Sequence, residues 1–307
     1  MTIALLIEQA LNGVQFGMML FLMAAGLTLI FGVMGLINLA HGSFYMIGAF
    51  AAASVAGLLG SFWLALLASL ILAAIAGSIV EITIIRRLYQ RDHLDQVLAT
   101  FGLILIFSEG VRWIFGAFPL YLDVPKVFQG SLEITPGFLY SRYRLFLISI
   151  GFILALGLFL LINKTNLGIK IRAGQNDREM ISALGVDITK LYSLVFAIGA
   201  ALAGLAGALV GTIQSVEVGM GEPVLILAFV IIVIGGIGSI KGALVASIAV
   251  GLIDTLGRFL VPWVLKFFFE SAAATSIGSS IASMLIYIFM AFVLIFKPTG
   301  LYGKQLQ

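Results

Sequence analysis

The sequence contains no cysteine and only two histidines, His41 and His93, among its 307 residues. These absences exclude disulfide bonds, thiolate metal sites, a cysteine nucleophile and a histidine metal cluster. Charged residues make up 10% of the chain, compared with about 25% in soluble domains. Because the net charge of +3 is small and the cations are clustered, a nucleic-acid-binding surface is not expected.

Common enzymatic motifs are also missing. The chain has no G-x-x-x-x-G-K-[ST] phosphate loop, no H-E-x-x-H and no G-x-S-x-G. We therefore expect this chain to be a non-enzyme that binds no metal or cofactor. If its function consumes ATP, another polypeptide must bind the nucleotide.

Long apolar runs dominate the sequence, in which 62% of the residues are hydrophobic. A membrane span needs about 20 apolar residues, and in hydrocarbon it must be a helix because every backbone polar group is satisfied within the segment. Glu8, with no Lys or Arg before the first run, indicates a permanent first span rather than a signal peptide. Nine spans are predicted, at 11–34, 43–60, 62–85, 96–115, 145–162, 191–215, 223–237, 243–260 and 280–296.

The expected fold is therefore all-α, a single polytopic transmembrane helical bundle over residues 1–307 with about eight to ten spans. Positive residues mark cytoplasmic loops. Arg86, Arg87 and Arg91 identify one such loop, and five further cations identify a second over 163–190. With nine spans, the N-terminus lies outside, the C-terminus inside, and 116–144 forms a folded external loop.

Two glycine-rich segments interrupt the apolar pattern, one at 32–43 and the other at 235–242. Corresponding interruptions in the two halves of a transporter indicate broken or re-entrant helices beside the substrate path. The candidate path residues are Asn38, His41, Ser43, Gly235, Gly236, Gly238 and Ser239. The structural alternatives are that Asn38 and His41 satisfy freed backbone groups in a tight turn and that Ser239 caps a helix.

A third informative segment lies in the predicted loop 163–190. Asn176 is the expected N-cap of a short helix, with Asp177 and Glu179 in its first turn and Gly185 at its end. The helix would present an apolar stripe formed by Met180, Ile181 and Leu184. Such a stripe fits docking to another protein, and it fits equally a helix that lies on the bundle or on lipid headgroups.

Several blocks of sequence carry a resemblance to a known family. They include Gly35-Leu-Ile-Asn38-Leu-Ala-His41-Gly42, Gly235-Gly236-Ile-Gly238-Ser239 and Lys297-Pro298-Thr-Gly300-Leu. In this order the blocks cover nearly the whole chain, which resembles the permease subunits of branched-chain amino acid ABC importers.

The resemblance implies a pore made with a second, related permease in the cytoplasmic membrane of a bacterium or archaeon. It also implies two cytosolic ATPase subunits, which bind ATP and Mg, and an external substrate-binding protein. The segment from Arg172 to Gly185 would be the coupling helix. Its apolar stripe would enter an ATPase groove, rimmed by Arg172, Arg178 and Glu179.

The resemblance leaves the cargo open, because relatives carry leucine, isoleucine and valine but also urea, short amides or aromatic acids. A stand-alone channel or secondary transporter is the rival interpretation. Ion-coupled pumps tend to bury acids and bases along their pathway. The predicted spans contain no chain of such residues, which counts against a secondary transporter.

Overall fold

The computed structural model describes residues 3–135 and 138–303, and these residues form a helical bundle. The eleven helices within them are α1 (Ile3–Met34), α2 (His41–Leu59), α3 (Phe62–Leu88), α4 (His93–Phe115), α5 (Arg142–Lys164), α6 (Asn166–Asn176), α7 (Arg178–Ala183), α8 (Ile188–Val210), α9 (Gly221–Gly235), α10 (Ile240–Leu265) and α11 (Ser271–Phe296). The predicted all-helical class is confirmed. A two-stranded hairpin, β1 (Ser131–Thr135) and β2 (Phe138–Ser141), is a small addition.

Each of the nine predicted apolar stretches is helical. Eight of the described helices are long and apolar enough to cross a membrane, and the ninth, α9, has 15 residues. At 1.5 Å per residue, α9 is about 22 Å long, shorter than the roughly 30 Å of hydrocarbon. Helix α11 begins at Ser271, well before the predicted position 280, and the hydroxyls of Thr275 and Ser279 donate to carbonyls of the preceding turn.

Helix α1 forms the centre of the bundle and is buried over most of its length between α8 and α10, with α5 and α9 also in contact. The small residues of α8 permit close packing of backbones. A Cβ atom at Gly207 would lie 2.0 Å from the carbonyl oxygen of Tyr45, and one at Gly204 would lie 2.3 Å from the Cβ of Ala73. These contacts are the helix packing that small residues allow in membranes.

The segment predicted as an external loop is folded against the bundle. Strands β1 and β2 pair in antiparallel register, with Leu132 opposite Tyr140. The Tyr140 hydroxyl donates to Asn12 Oδ1 on α1 at 3.1 Å, and Leu120 pairs with Val216 through two backbone hydrogen bonds. The hairpin and its approach are thereby tied to the N-terminal part of α1 and to the connection between α8 and α9.

A buried carboxylate ties α3 to α8. Glu81 begins a π-helical turn, Glu81–Ile85, and its side chain is completely buried. Arg86 Nη2 donates to its Oε2 at 3.0 Å, and the hydroxyls of Tyr89 and Ser193 donate to the carboxylate at 2.5 and 2.6 Å. Three side chains therefore donate to one carboxylate, which compensates it away from water.

Removal of the cation should leave this carboxylate uncompensated. We expect Arg86→Gln to lower the midpoint of thermal unfolding in detergent, and the double variant Arg86→Gln with Glu81→Gln to recover part of that loss, because the buried charge is then gone. The measurement is a double-mutant cycle of unfolding midpoints. Strictly additive effects would contradict the buried-pair assignment.

Candidate functional site

The first predicted break separates α1 from α2. Helix α1 ends at Met34, Gly35 has a φ of 64°, and the chain has no helical structure again until His41. Asn38 and His41 are completely buried, and none of their side-chain nitrogen or oxygen atoms has a hydrogen-bond partner in the described residues. Within the described residues, neither side chain forms a hydrogen bond with a backbone group of the turn. Buried polar groups of this kind normally bond to protein or water.

The segment after α1 folds back along α1 and does not leave the bundle. The His41 ring faces the carbonyl of Met23, although it does not reach hydrogen-bond geometry. Met23 lies eleven residues before Met34, a distance of about 16 Å along a helix. Helix α2 therefore begins about half-way along the apolar length of α1, with Ser43 buried in its first turn.

The second predicted break is the tight turn that joins α9 to α10. Gly236 and Gly238 have φ values of 97° and 77°, which favour glycine. The Ser239 hydroxyl accepts the N–H of Gly242 at 3.1 Å and caps α10, as the structural alternative for Ser239 requires. The carbonyl of Gly235 accepts the N–H of Tyr302 at 2.9 Å, so the C-terminal turn completes the end of α9.

The two breaks, far apart in sequence, meet in the structure. A Cβ atom at Gly32 would lie 2.8 Å from the Cα of Gly238, so the end of α1 packs directly on the α9–α10 turn. A Cβ atom at Gly221 would lie 1.9 Å from the carbonyl oxygen of Gly42, so the first turns of α2 and α9 also touch. The end of α1 thus contacts the second break, whereas the start of α2, with His41 and Ser43, contacts the opposite end of α9.

The predicted coupling helix is two helices, and its predicted cap is wrong. Asn176 is the last residue of α6. Asp177 is the N-cap of α7, because its carboxylate reaches the N–H of Met180 at 2.9 Å. The predicted end is confirmed, since Leu184 is the C-cap of α7 and the next residue, Gly185, has a φ of 83°.

The predicted apolar stripe is divided between two faces. Ile181 is 5% exposed and packs against the bundle, whereas Met180 and Leu184 are 60% and 76% exposed. Successive helix residues point about 100° apart, so a short helix that lies on the bundle buries Ile181 while it presents the other two. The exposed apolar surface of α7 therefore consists of Met180 and Leu184, with Glu179 exposed beside them.

The segment formed by α6 and α7 contacts the end of α1. Arg178 Nη2 donates to the carbonyl of Met34, and its guanidinium carbon lies 5.7 Å from the ring centroid of Tyr192. Gln175 Nε2 lies 2.7 Å from the position of a Cβ atom at Gly32. Arg178 is exposed, but its guanidinium group contacts the bundle. Arg172 is also exposed and instead donates to Asn163 at 3.2 Å.

Sequence reasoning did not single out Gln175. It lies between charged residues, and no periodicity or charge pattern distinguishes its amide from an ordinary exposed one. Its proximity to Gly32 arises from the packing of α6 beside α1. Only the tertiary packing therefore distinguishes Gln175 from other polar residues of the segment.

Two side chains outside the spanning helices, Asp187 and Tyr89, have shifted pKa values. The backbone N–H and the ammonium group of Lys190 lower the pKa of Asp187, which therefore remains an ionised cap of α8 at neutral pH. Burial, followed by the hydrogen bond to Glu81, raises the pKa of Tyr89, so its hydroxyl stays protonated and donates. The Tyr89 and Tyr192 rings meet edge to face at 5.2 Å.

Eight helices long enough to span a membrane, together with two breaks packed inside the bundle, define a multi-pass membrane protein of the transporter class. Within the described ranges, no cluster of three or more His, Asp or Glu residues is arranged to hold a metal ion.

The chain belongs to the family of permease components of branched-chain amino acid transport systems, which matches residues 9–296. It is 30% identical to BraD, the permease protein of a high-affinity branched-chain amino acid transport system in Pseudomonas aeruginosa, over 97% of this chain and 96% of BraD. It is 26% identical to LivH, a permease protein of the same kind of system in Escherichia coli, over 97% and 96% of the two chains. A probable LivH permease of Methanocaldococcus jannaschii is 26% identical, over 94% and 91%. No solved structure shows a significant match.

Substitution at the contact between the breaks should disable the protein. Gly238→Val places a β-branched residue at a φ of 77°, with its Cβ 3.4 Å from the Cα of Gly32. Such backbone strain costs on the order of 1–3 kcal/mol, so we expect loss of transport or of folded protein. Gly102→Val is the matched control, because nothing lies within 4 Å of a Cβ atom at Gly102. Equal behaviour of both variants in uptake and thermal unfolding would contradict the assignment.

Proposed function

We propose that this chain is the permease subunit of an ATP-driven ABC importer for branched-chain amino acids in the cytoplasmic membrane. A second related permease completes the pore, and an external binding protein delivers the substrate. Two ATPase subunits bind ATP and Mg and drive transport by hydrolysis. The observation that carries this proposal is the contact of α6 and α7 with the end of α1, where the first helix break begins. Gln175 lies at Gly32, and Arg178 bonds to Met34.

The docking surface of the proposal is the exposed side of α7. Met180 and Leu184 present apolar side chains to solvent, and Ile181 anchors the same helix to the bundle. An amphipathic helix that inserts exposed apolar side chains into a groove is a recurrent recognition mode. Arg172 and Glu179 are exposed on the same segment and supply the polar rim of the contact.

The proposed route of coupling follows from the same contacts. Movement of an ATPase subunit displaces α7, and Arg178 passes that displacement to the end of α1 at Met34. The break that follows contains Asn38 and His41, whose buried polar groups are without protein partners in the described residues. A shift of this segment changes the access of water and solute to those groups. Two discrete arrangements of one element are what coupling between sites requires.

The names of the relatives support branched-chain amino acids as cargo. The alternative cargo, within the same machine, is urea, short amides or aromatic acids. A secondary transporter would need no ATPase. The contact of α6 and α7 with the end of α1 favours an ATP-driven importer over a secondary transporter.

The test is uptake of radiolabelled leucine into proteoliposomes that contain this chain with its co-encoded partners. We expect uptake that requires internal ATP and that excess urea does not inhibit. Uptake without ATP would replace the proposal with a secondary carrier. ATPase stimulation without leucine uptake would support an ABC importer that carries a different substrate.

In the same system, Leu184→Asp places a charge in the proposed docking contact. Burial of an unpaired charge is strongly unfavourable, so we expect loss of co-purifying ATPase without a change in the unfolding midpoint of the permease. Leu139→Asp is the matched control, because Leu139 is exposed on β2, away from α7. Co-purification of the ATPase with the Leu184→Asp variant would contradict the proposal that α7 docks on the ATPase.

A further inference from the structure

A cavity of about 100 Å³ lies where α1, α2, the end of α8 and the start of α9 converge. Three of its lining residues are polar, namely Gln15, Tyr45 and Gln214. Its apolar walls are formed by Phe16, Met19, Leu20, Val210, Ile213 and Val224. The cavity therefore combines an aliphatic and aromatic surface with a few hydrogen-bonding groups, which is the usual composition of a small-molecule site.

The polar groups of the cavity have no partners among the described residues. Gln15 and Tyr45 are buried residues and Gln214 is exposed, and none of the three side chains makes a hydrogen bond within that part of the chain. Their polar atoms remain accessible rather than fully enclosed. A solute in the cavity can therefore form hydrogen bonds with these groups.

The size of the cavity suits a small apolar group. An apolar cavity of about 150 Å³ binds benzene, which has six carbon atoms, so about 100 Å³ suits a group of about four carbons. The side chains of leucine and isoleucine have four carbons and that of valine has three.

The position of the cavity connects it to the broken helices. Tyr45 lies in the first turns of α2, and Val224 lies in the first turn of α9. These turns touch at Gly42 and Gly221. Helix N-termini favour anionic groups, and in transporters the N-termini of discontinuous helices face the carboxylate of the substrate.

We infer that this cavity is a substrate subsite within the permease, which takes the branched aliphatic side chain of a small amino acid against its apolar walls. Gln15, Tyr45 and Gln214 bond to the polar end of the same solute. This inference rests on the proposed function and deepens it, because it assigns part of the selectivity to the permease itself.

Two variants test the subsite in the reconstituted complex. Val224→Phe fills the cavity, and we expect leucine uptake to fall by about tenfold or more. Val245→Phe is the matched control, since Val245 is exposed on α10 and does not line the cavity.

Gln15→Leu is a second variant that tests the subsite independently of Val224→Phe. It removes an amide that makes no hydrogen bond within the described residues, so we expect an unfolding midpoint close to that of the wild type together with reduced leucine uptake. Wild-type leucine uptake by a folded Val224→Phe complex, or by Gln15→Leu, would overturn the subsite and leave the proposed function standing. Absence of ATP-dependent leucine uptake in the wild type would overturn both.

Discussion

Irregular backbone inside a membrane must be covered by protein or water, and the rest of this structure depends on how that requirement is met. The end of α1 packs on the α9–α10 turn through Gly32 and Gly238, with no side chain between them. The first turns of α2 and α9 are in similar contact through Gly42 and Gly221. Because each break covers the other, two helices can begin or end within the bundle without exposing free backbone groups to lipid.

This arrangement also brings the predicted functional segments together. Helix α6 places Gln175 at Gly32, and α7 places Arg178 at Met34, so a surface segment reaches the first break directly. Beyond that contact the chain carries Asn38 and His41 back along α1 toward the middle of the bundle. In the proposed mechanism, a displacement at the surface therefore acts on buried polar groups through a short, continuous path.

Much of the fold follows from local sequence, because hydropathy and glycine positions are local properties. The nine apolar stretches, both breaks and the end of α7 at Gly185 were predictable for that reason. Burial of Ile181 was not, since it depends on how α7 lies on the bundle, and neither was the choice of Asp177 over Asn176 as the cap. The cavity was also beyond sequence reasoning, because Gln15, Tyr45 and Gln214 meet only after three elements pack together.

The central claim is that Arg178 links the ATPase-facing segment to the end of α1, and Arg178→Ala tests it directly. ATP hydrolysis and leucine uptake are measured together in the reconstituted complex, with Arg172→Ala as the control, because Arg172 bonds to Asn163 and not to α1. We expect Arg178→Ala to retain ATP hydrolysis and lose uptake, while Arg172→Ala keeps both. Wild-type uptake by Arg178→Ala would contradict the account.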